Sequence, residues 1–108
     1  LPPKHDNRHR NLSTKEIESH LSLLKGWKGI NNTLLIKYKL SSFMEVMSFA
    51  NLVSDRSEKL DHHPKIIIDY DTIVFELTTH SEGGITSLDI QLANFIHETY
   101  NELFITEQ

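Results

Sequence analysis

Apolar residues fall in short periodic blocks along this chain, and the period changes from block to block. Ile17, Leu21 and Leu24 recur at helical spacing behind Ser13-Thr14-Lys15-Glu16, where a hydroxyl is followed three places on by a carboxylate, the signature of a reciprocal N-terminal cap. The spacing predicts a helix of about three turns that ends in a left-handed residue at Gly26. From Trp27 to Ile30 and from Leu34 to Leu40 the period drops to that of a strand. Asn31-Asn32 separates the two, and asparagine tolerates the positive φ of a tight hairpin turn. Leu34, Ile36, Tyr38 and Leu40 share one face and Leu35, Lys37 and Lys39 the other, so one side is core and the other largely wet. Gly29 is expected to weaken the first strand and mark a bulge.

A second cap, Ser42-Phe43-Met44-Glu45, opens a helix expected to carry Phe43, Val46, Met47, Ala50 and Val53 on its inner face. Met44, Phe49 and Leu52 fall outside that arc. This surplus predicts a partner helix from another subunit, unless a loop of the same chain covers Phe49 and Leu52. Lys65 to Tyr70 and Ile73 to Thr79 read as β-branched strands joined at Asp71-Thr72, with Ile73, Phe75, Leu77 and Thr79 facing the helices. After Gly83-Gly84, Thr86 and Asp89 form a third cap. Leu88, Leu92, Phe95, Ile96, Thr99 and Leu103 then line one side of a helix reaching Phe104. The order is α-β-β-α-β-β-α, an α+β domain over residues 12–108. Residues 1–11, with two prolines and almost no apolar side chains, are expected to be a disordered or loosely attached arm.

Composition trims the options. The chain has no cysteine, which removes disulfides, thiolate nucleophiles and sulfur-based zinc sites. A net charge of −4 disfavours broad nucleic-acid binding. No apolar run approaches the roughly 20 residues that cross a bilayer, and no charged-then-apolar leader opens the chain, so a cytoplasmic home is expected, with the nucleus second.

The chemistry concentrates in Glu58-Lys59-Leu60-Asp61-His62-His63-Pro64 and in the later Thr78-Thr79-His80-Ser81. Histidine both gives and takes protons near neutral pH, so a cluster of rings suits a reaction limited by proton transfer. Asp61 or Glu58 is placed to fix an imidazole tautomer, and Pro64 holds His63 extended. A hairpin brings its outer ends together, which places His62, His63 and His80 at one end of the strand pair, with Thr86 and Asp89 beside His80. Singly, each of these histidines would more often be structural; their convergence with Asp61 favours function. His5, His9, His20 and His97 have no such company and read as surface residues. Glu58 and Lys59 could also form a plain helix-end ion pair.

These residues resemble the pterin-4a-carbinolamine dehydratase family, also called dimerization cofactor of the hepatocyte nuclear factor homeoproteins. The likeness runs from Leu12 onward and rests on Glu58-Lys59-x-Asp61-His62-His63-Pro64, Tyr70, Thr79-His80, Gly84-Ile85-Thr86, Asp89 and Leu92-Ala93 at matched intervals. It implies a four-stranded antiparallel sheet with three helices on one face, assembling as a homodimer or homotetramer through the second helix and the sheet edges. It implies a hydro-lyase of tetrahydrobiopterin recycling that dehydrates 4a-hydroxytetrahydrobiopterin, left by aromatic amino acid hydroxylases, to the quinonoid dihydropterin, without metal or organic cofactor. His62 and His80 match the general acid and base, and His63 a position that chiefly holds the pterin. Asp61, Thr78, Thr79 and Ser81 match binding contacts, with Glu58, Pro64 and Asp89 in support. Two positions depart from the family: Ile66 stands where tryptophan is common, and Ser81 where an acid often follows the third histidine. Both bear on substrate affinity and stereoisomer preference. Two rival readings are a zinc site built from the three histidines, and a non-catalytic oligomerising module or transcriptional coactivator with a vestigial pocket.

Overall fold

A computed structural model describes residues 7–105. Four strands, β1 (Lys28–Ile30), β2 (Thr33–Lys39), β3 (Lys65–Asp69) and β4 (Thr72–Leu77), form one antiparallel sheet in the order β1-β2-β4-β3. Three helices, α1 (Thr14–Leu21), α2 (Phe43–Leu60) and α3 (Ser87–Thr99), complete the expected α-β-β-α-β-β-α order. The first hairpin turns on Asn31 and Asn32, both at positive φ (52° and 62°). Alternation decides the faces: Leu34, Ile36 and Tyr38 of β2 and Ile73, Phe75 and Leu77 of β4 are buried beneath the helices. Among the described residues no helix is long and apolar enough to cross a membrane.

Several local expectations need correction. Helix α1 ends at Leu21, short of the expected three turns; tighter turns, with the Leu24 amide donating to the Leu21 carbonyl and the Trp27 amide to the Leu24 carbonyl, carry both side chains into the core, and Gly26 (φ +90°) then turns the chain into β1. Gly29 marks no bulge. It pairs in regular register with Leu34, and a methyl group there would make ordinary contact with Leu21 at 3.4 Å. The second hairpin turns at Tyr70-Asp71 rather than Asp71-Thr72: Tyr70 takes positive φ (52°), and Thr72 is already paired with Asp69. The Asp71 carbonyl accepts from the Leu40 amide at 2.8 Å and its carboxylate pairs with Lys39, so this turn is tied back to β2.

On α2 the buried face is Val46, Phe49, Ala50, Val53 and Ser57. Phe43 therefore does not face inward as expected; it is 45% exposed. Phe49 does, and its cover comes from the same chain. Beyond α3 the helix widens into a π turn (Tyr100–Phe104) that sets Phe104 5.0 Å from the Phe49 ring, with Phe75 at 5.2 Å on its edge. The wider turn also shifts the helical phase, which is why Leu103 is exposed where α-helical spacing would have buried it. At the start of α2, Ser42 accepts from the Glu45 amide as expected, but the Glu45 carboxylate turns to the Ser41 amide and hydroxyl instead of closing the box. The α1 and α3 boxes are complete.

Of the segment 1–11, residues 7–11 are described; His5 and the prolines of the arm lie outside the described residues. Asn7–His9 make one 3-10 turn that packs against α3, and the Leu12 amide donates to the Ile85 carbonyl at 2.9 Å.

Candidate active site

The end of α2 sets the first half of the site. Asp61 takes a left-handed conformation (φ 51°, ψ 45°), its amide donates to the Glu58 carbonyl, and the His62 amide donates to the Ser57 carbonyl at 3.0 Å. This pair of bonds closes a helix in a position usually filled by glycine. A non-glycine residue there costs about 1 kcal/mol, and Asp61 stands exposed at the edge of the cleft. Pro64 then forces extended geometry and β3 begins at Lys65. Lys65 pairs with Glu76; carried back along the strands, that register sets His63 opposite Thr78 and His62 opposite Thr79. Because neighbouring positions point to opposite faces, the two histidines part company: His62 turns inward and is buried, and His63 turns outward.

The second half comes from the far end of β4. Thr79 and Gly84 bridge each other, with the Thr79 amide donating to the Gly84 carbonyl at 2.9 Å. Between them lies a single 3-10 turn, His80–Glu82, closed by Gly83 at positive φ (67°). His80 sits exposed at the top of this turn.

Asp89, in the first turn of α3, joins the halves. Its fully buried carboxylate lies 2.6 Å from His62 Nε2 through Oδ1, while Oδ2 accepts from the Thr79 hydroxyl at 2.8 Å and from the Thr86 amide at 2.9 Å. A carboxylate only accepts, so Nε2 carries the ring proton and Nδ1 is left for chemistry. Thr79 spends its proton on Asp89; the 2.8 Å contact between the two threonine hydroxyls is therefore a donation from Thr86 to Thr79. The tautomer is thus fixed by Asp89, rather than by Asp61 or Glu58. Glu58 instead holds the other ring: His63 Nε2 is 2.5 Å from Glu58 Oε2, in an exposed pair. Lys59 bonds Asp55 one turn back at 3.2 Å, since adjacent helix positions such as Glu58 and Lys59 do not face each other.

Asp61, His62, His63, Thr78, Thr79, His80 and Ser81 all line one open cleft of about 280 Å³, with Leu88 as its apolar wall. Asp89 stands behind His62, Glu58 behind His63, and Ile66 packs on the core instead of lining the cleft. Of the histidines read as surface residues, His20 is exposed and His97 bonds Asn101 at 3.2 Å away from the cleft. His9 is exposed too, yet it lines the cleft. The second glycine of Gly83-Gly84 was the sequence sign of a segment passing close by; a Cβ on Gly84 would come within 2.8 Å of the Asn11 side chain. Among the described residues no three side chains of the His, Cys, Asp and Glu types are grouped so as to hold a metal ion.

Comparison with known proteins shows the family and the fold. The family profile described as pterin 4 alpha carbinolamine dehydratase matches residues 10–99. A Metallosphaera sedula protein named "Putative pterin-4-alpha-carbinolamine dehydratase" is 38% identical over 87 residues, 81% of this chain and 91% of the relative. A Mycolicibacterium vanbaalenii protein of the same name is 38% identical over 85 residues, 79% of this chain and 91% of its own length. Among solved structures, a Brucella melitensis transcriptional coactivator/pterin dehydratase superposes with a TM-score of 0.80 at 31% identity, over 82% of this chain and 97% of that one. The chain belongs to the pterin 4 alpha carbinolamine dehydratase family.

Proposed function

We propose that this chain is a hydro-lyase that removes water from a 4a-hydroxytetrahydropterin, 4a-hydroxytetrahydrobiopterin being the expected substrate, to give the quinonoid dihydropterin. The observation that carries this reading is the buried His62–Asp89 pair at the floor of a cleft that His63 and His80 also line. The reaction needs little else. The C4a–O bond breaks as its oxygen takes a proton and leaves as water, N5 gives up its proton, and the electrons of the N–H bond form the C4a–N5 double bond. No oxidant or reductant enters the balance. His62, oriented by Asp89 and presenting Nδ1, and the exposed His80 serve as the acid and base, each contributing about 10² to 10⁴ in rate. His63, tied to Glu58, chiefly holds the bicycle, and Asp61, Thr78, Thr79 and Ser81 meet its polar edges.

The test is turnover of a carbinolamine generated in situ. Catalysis above the uncatalysed rate that is lost in His62→Ala and His80→Ala supports the assignment. An adaptor with a vestigial pocket shows no such rate, and unchanged activity in both variants ends the histidine mechanism. Self-association belongs to the same reading: Phe43, Met44 and Leu52 leave apolar surface on α2 at 45%, 69% and 39% exposure, and Ile67 and Ile68 do so on the edge strand β3. Sedimentation of a monomer at micromolar concentration would refute it.

A further inference from the structure

The four histidines of the cleft do not arrive by similar routes. His62, His63 and His80 come from the ends of the second hairpin, whereas His9 comes from a strap ahead of α1. Just after His9 the strap is fastened in two directions. On one side Arg10 makes a two-pronged contact with Glu16 (3.2 and 3.0 Å), and the same carboxylate accepts the Ser13 amide at 2.8 Å. On the other, the Asn11 side chain donates to the Glu82 carbonyl and the Leu12 amide to the Ile85 carbonyl, each at 2.9 Å. Those carbonyls flank Gly84, whose missing side chain is what lets Asn11 approach. The loop that clamps the strap is thus the loop that carries His80.

We propose that His9 is a substrate-binding residue of this cleft, held there by the strap, which meets the bound bicyclic aminopyrimidinone on its solvent-facing side. This rests on the dehydratase reading of the same cleft. The burial gradient gives the division of labour. His62 and Asp89 are buried, where the proposed proton transfer takes place, and His9 stands exposed at the rim, where an imidazole presents a polar edge and a flat face to a bound heterocycle. Its contribution falls on binding and leaves the chemical step alone.

The experiment compares wild type, His9→Ala, Asn11→Ala, Gly84→Ala and, as a surface control, His20→Ala. Two quantities are read: dehydratase kinetics, and the affinity for 7,8-dihydrobiopterin, a pterin that lacks the 4a-hydroxyl. His9→Ala is expected to raise both KM and Kd by about five- to ten-fold, the worth of one hydrogen bond or ring contact, with kcat within about two-fold. Asn11→Ala and Gly84→Ala are expected to raise KM in the same sense and to speed tryptic cleavage after Arg10, while His20→Ala changes nothing. Active wild type with His9→Ala unchanged in KM and Kd overturns the strap assignment alone. Wild type that neither turns over the carbinolamine nor binds the dihydropterin overturns the functional reading and this inference with it. A His9→Ala protein that loses kcat instead of affinity also overturns the inference, since it would place His9 among the acid-base groups.

Discussion

The cleft contains two histidine–carboxylate pairs of almost identical geometry, and they teach opposite lessons. His62 meets Asp89 and His63 meets Glu58, each through Nε2 and a single carboxylate oxygen, at 2.6 and 2.5 Å. In the first pair the side chains are 10% and 0% exposed; in the second they are 56% and 76% exposed. Bond length does not separate them, whereas surroundings do. Asp89 accepts three hydrogen bonds from three segments of the fold and has no water to fall back on, while Glu58 can exchange His63 for solvent at little cost. One pair is therefore a fixed part of the machine, and the other an adjustable contact.

The largest effect that tests this contrast is His62→Ala, for which kcat should fall by about 10² to 10⁴. Against it stands His63→Ala, expected to act mainly on KM. Equal kcat losses in the two variants would erase the distinction. Next comes Asp89→Asn, which is nearly isosteric but presents an amide N–H where the ring N–H must be received. If the amide oxygen stays on the Thr86 amide, the amide donors face His62 and the ring must move its proton to Nδ1, the atom needed for chemistry. A loss of kcat of about 10², a stability loss of about 1–3 kcal/mol and an inverted tautomer in the ring ¹⁵N spectrum of His62 are expected together. An unchanged spectrum would remove the tautomer mechanism. Glu58→Gln should cost under about 1 kcal/mol in either stability or binding, because its pair is screened by water; a loss comparable to that of Asp89→Asn would mean that exposure is not the deciding variable.

The smallest effect extends the series to a third carboxylate, Glu16, whose side chain is 42% exposed and whose partner is an arginine. The Arg10 guanidinium, helped by the Ser13 amide, holds the Glu16 carboxyl down at about 2 from an ordinary 4.5. A carboxyl depressed in the folded state stabilises fully above its unfolded value and loses that contribution as pH falls from about 4.5 through about 2. Glu16→Gln should flatten the melting temperature against pH in that window alone, and added salt should shrink the difference. Parallel curves for the two proteins would show the pair to be inert.

Much of this was legible in the sequence because it is local. Periodicity gave the element order, the hydroxyl-to-carboxylate spacings marked the start of every helix, and the paired asparagines marked the first turn. The convergence of His62, His63 and His80 followed from hairpin closure alone. What escaped was long-range. The partner of His62 is a residue from the next helix, whereas the nearer carboxylate, Asp61, lines the cleft without taking that role. Phe49 looked surplus because its cover, Phe104, arrives through a π turn that no helical spacing announces. His9 read as an isolated surface ring because only the docking of residues 10–12 onto the 82–85 loop brings it to the cleft.

Asp89 closes the amino-terminal box of α3 with the same oxygen that anchors Thr79, and receives His62 with the other. The carboxylate that caps the helix also orients the imidazole, so the start of α3 and the proposed reactive centre depend on one side chain. Were the proposed activity lost, a descendant of this chain could discard His80 freely, yet would be under pressure to keep an acid at position 89 to cap α3. The retained acid would be a poor guide to activity among such descendants, and the exposed histidines a good one.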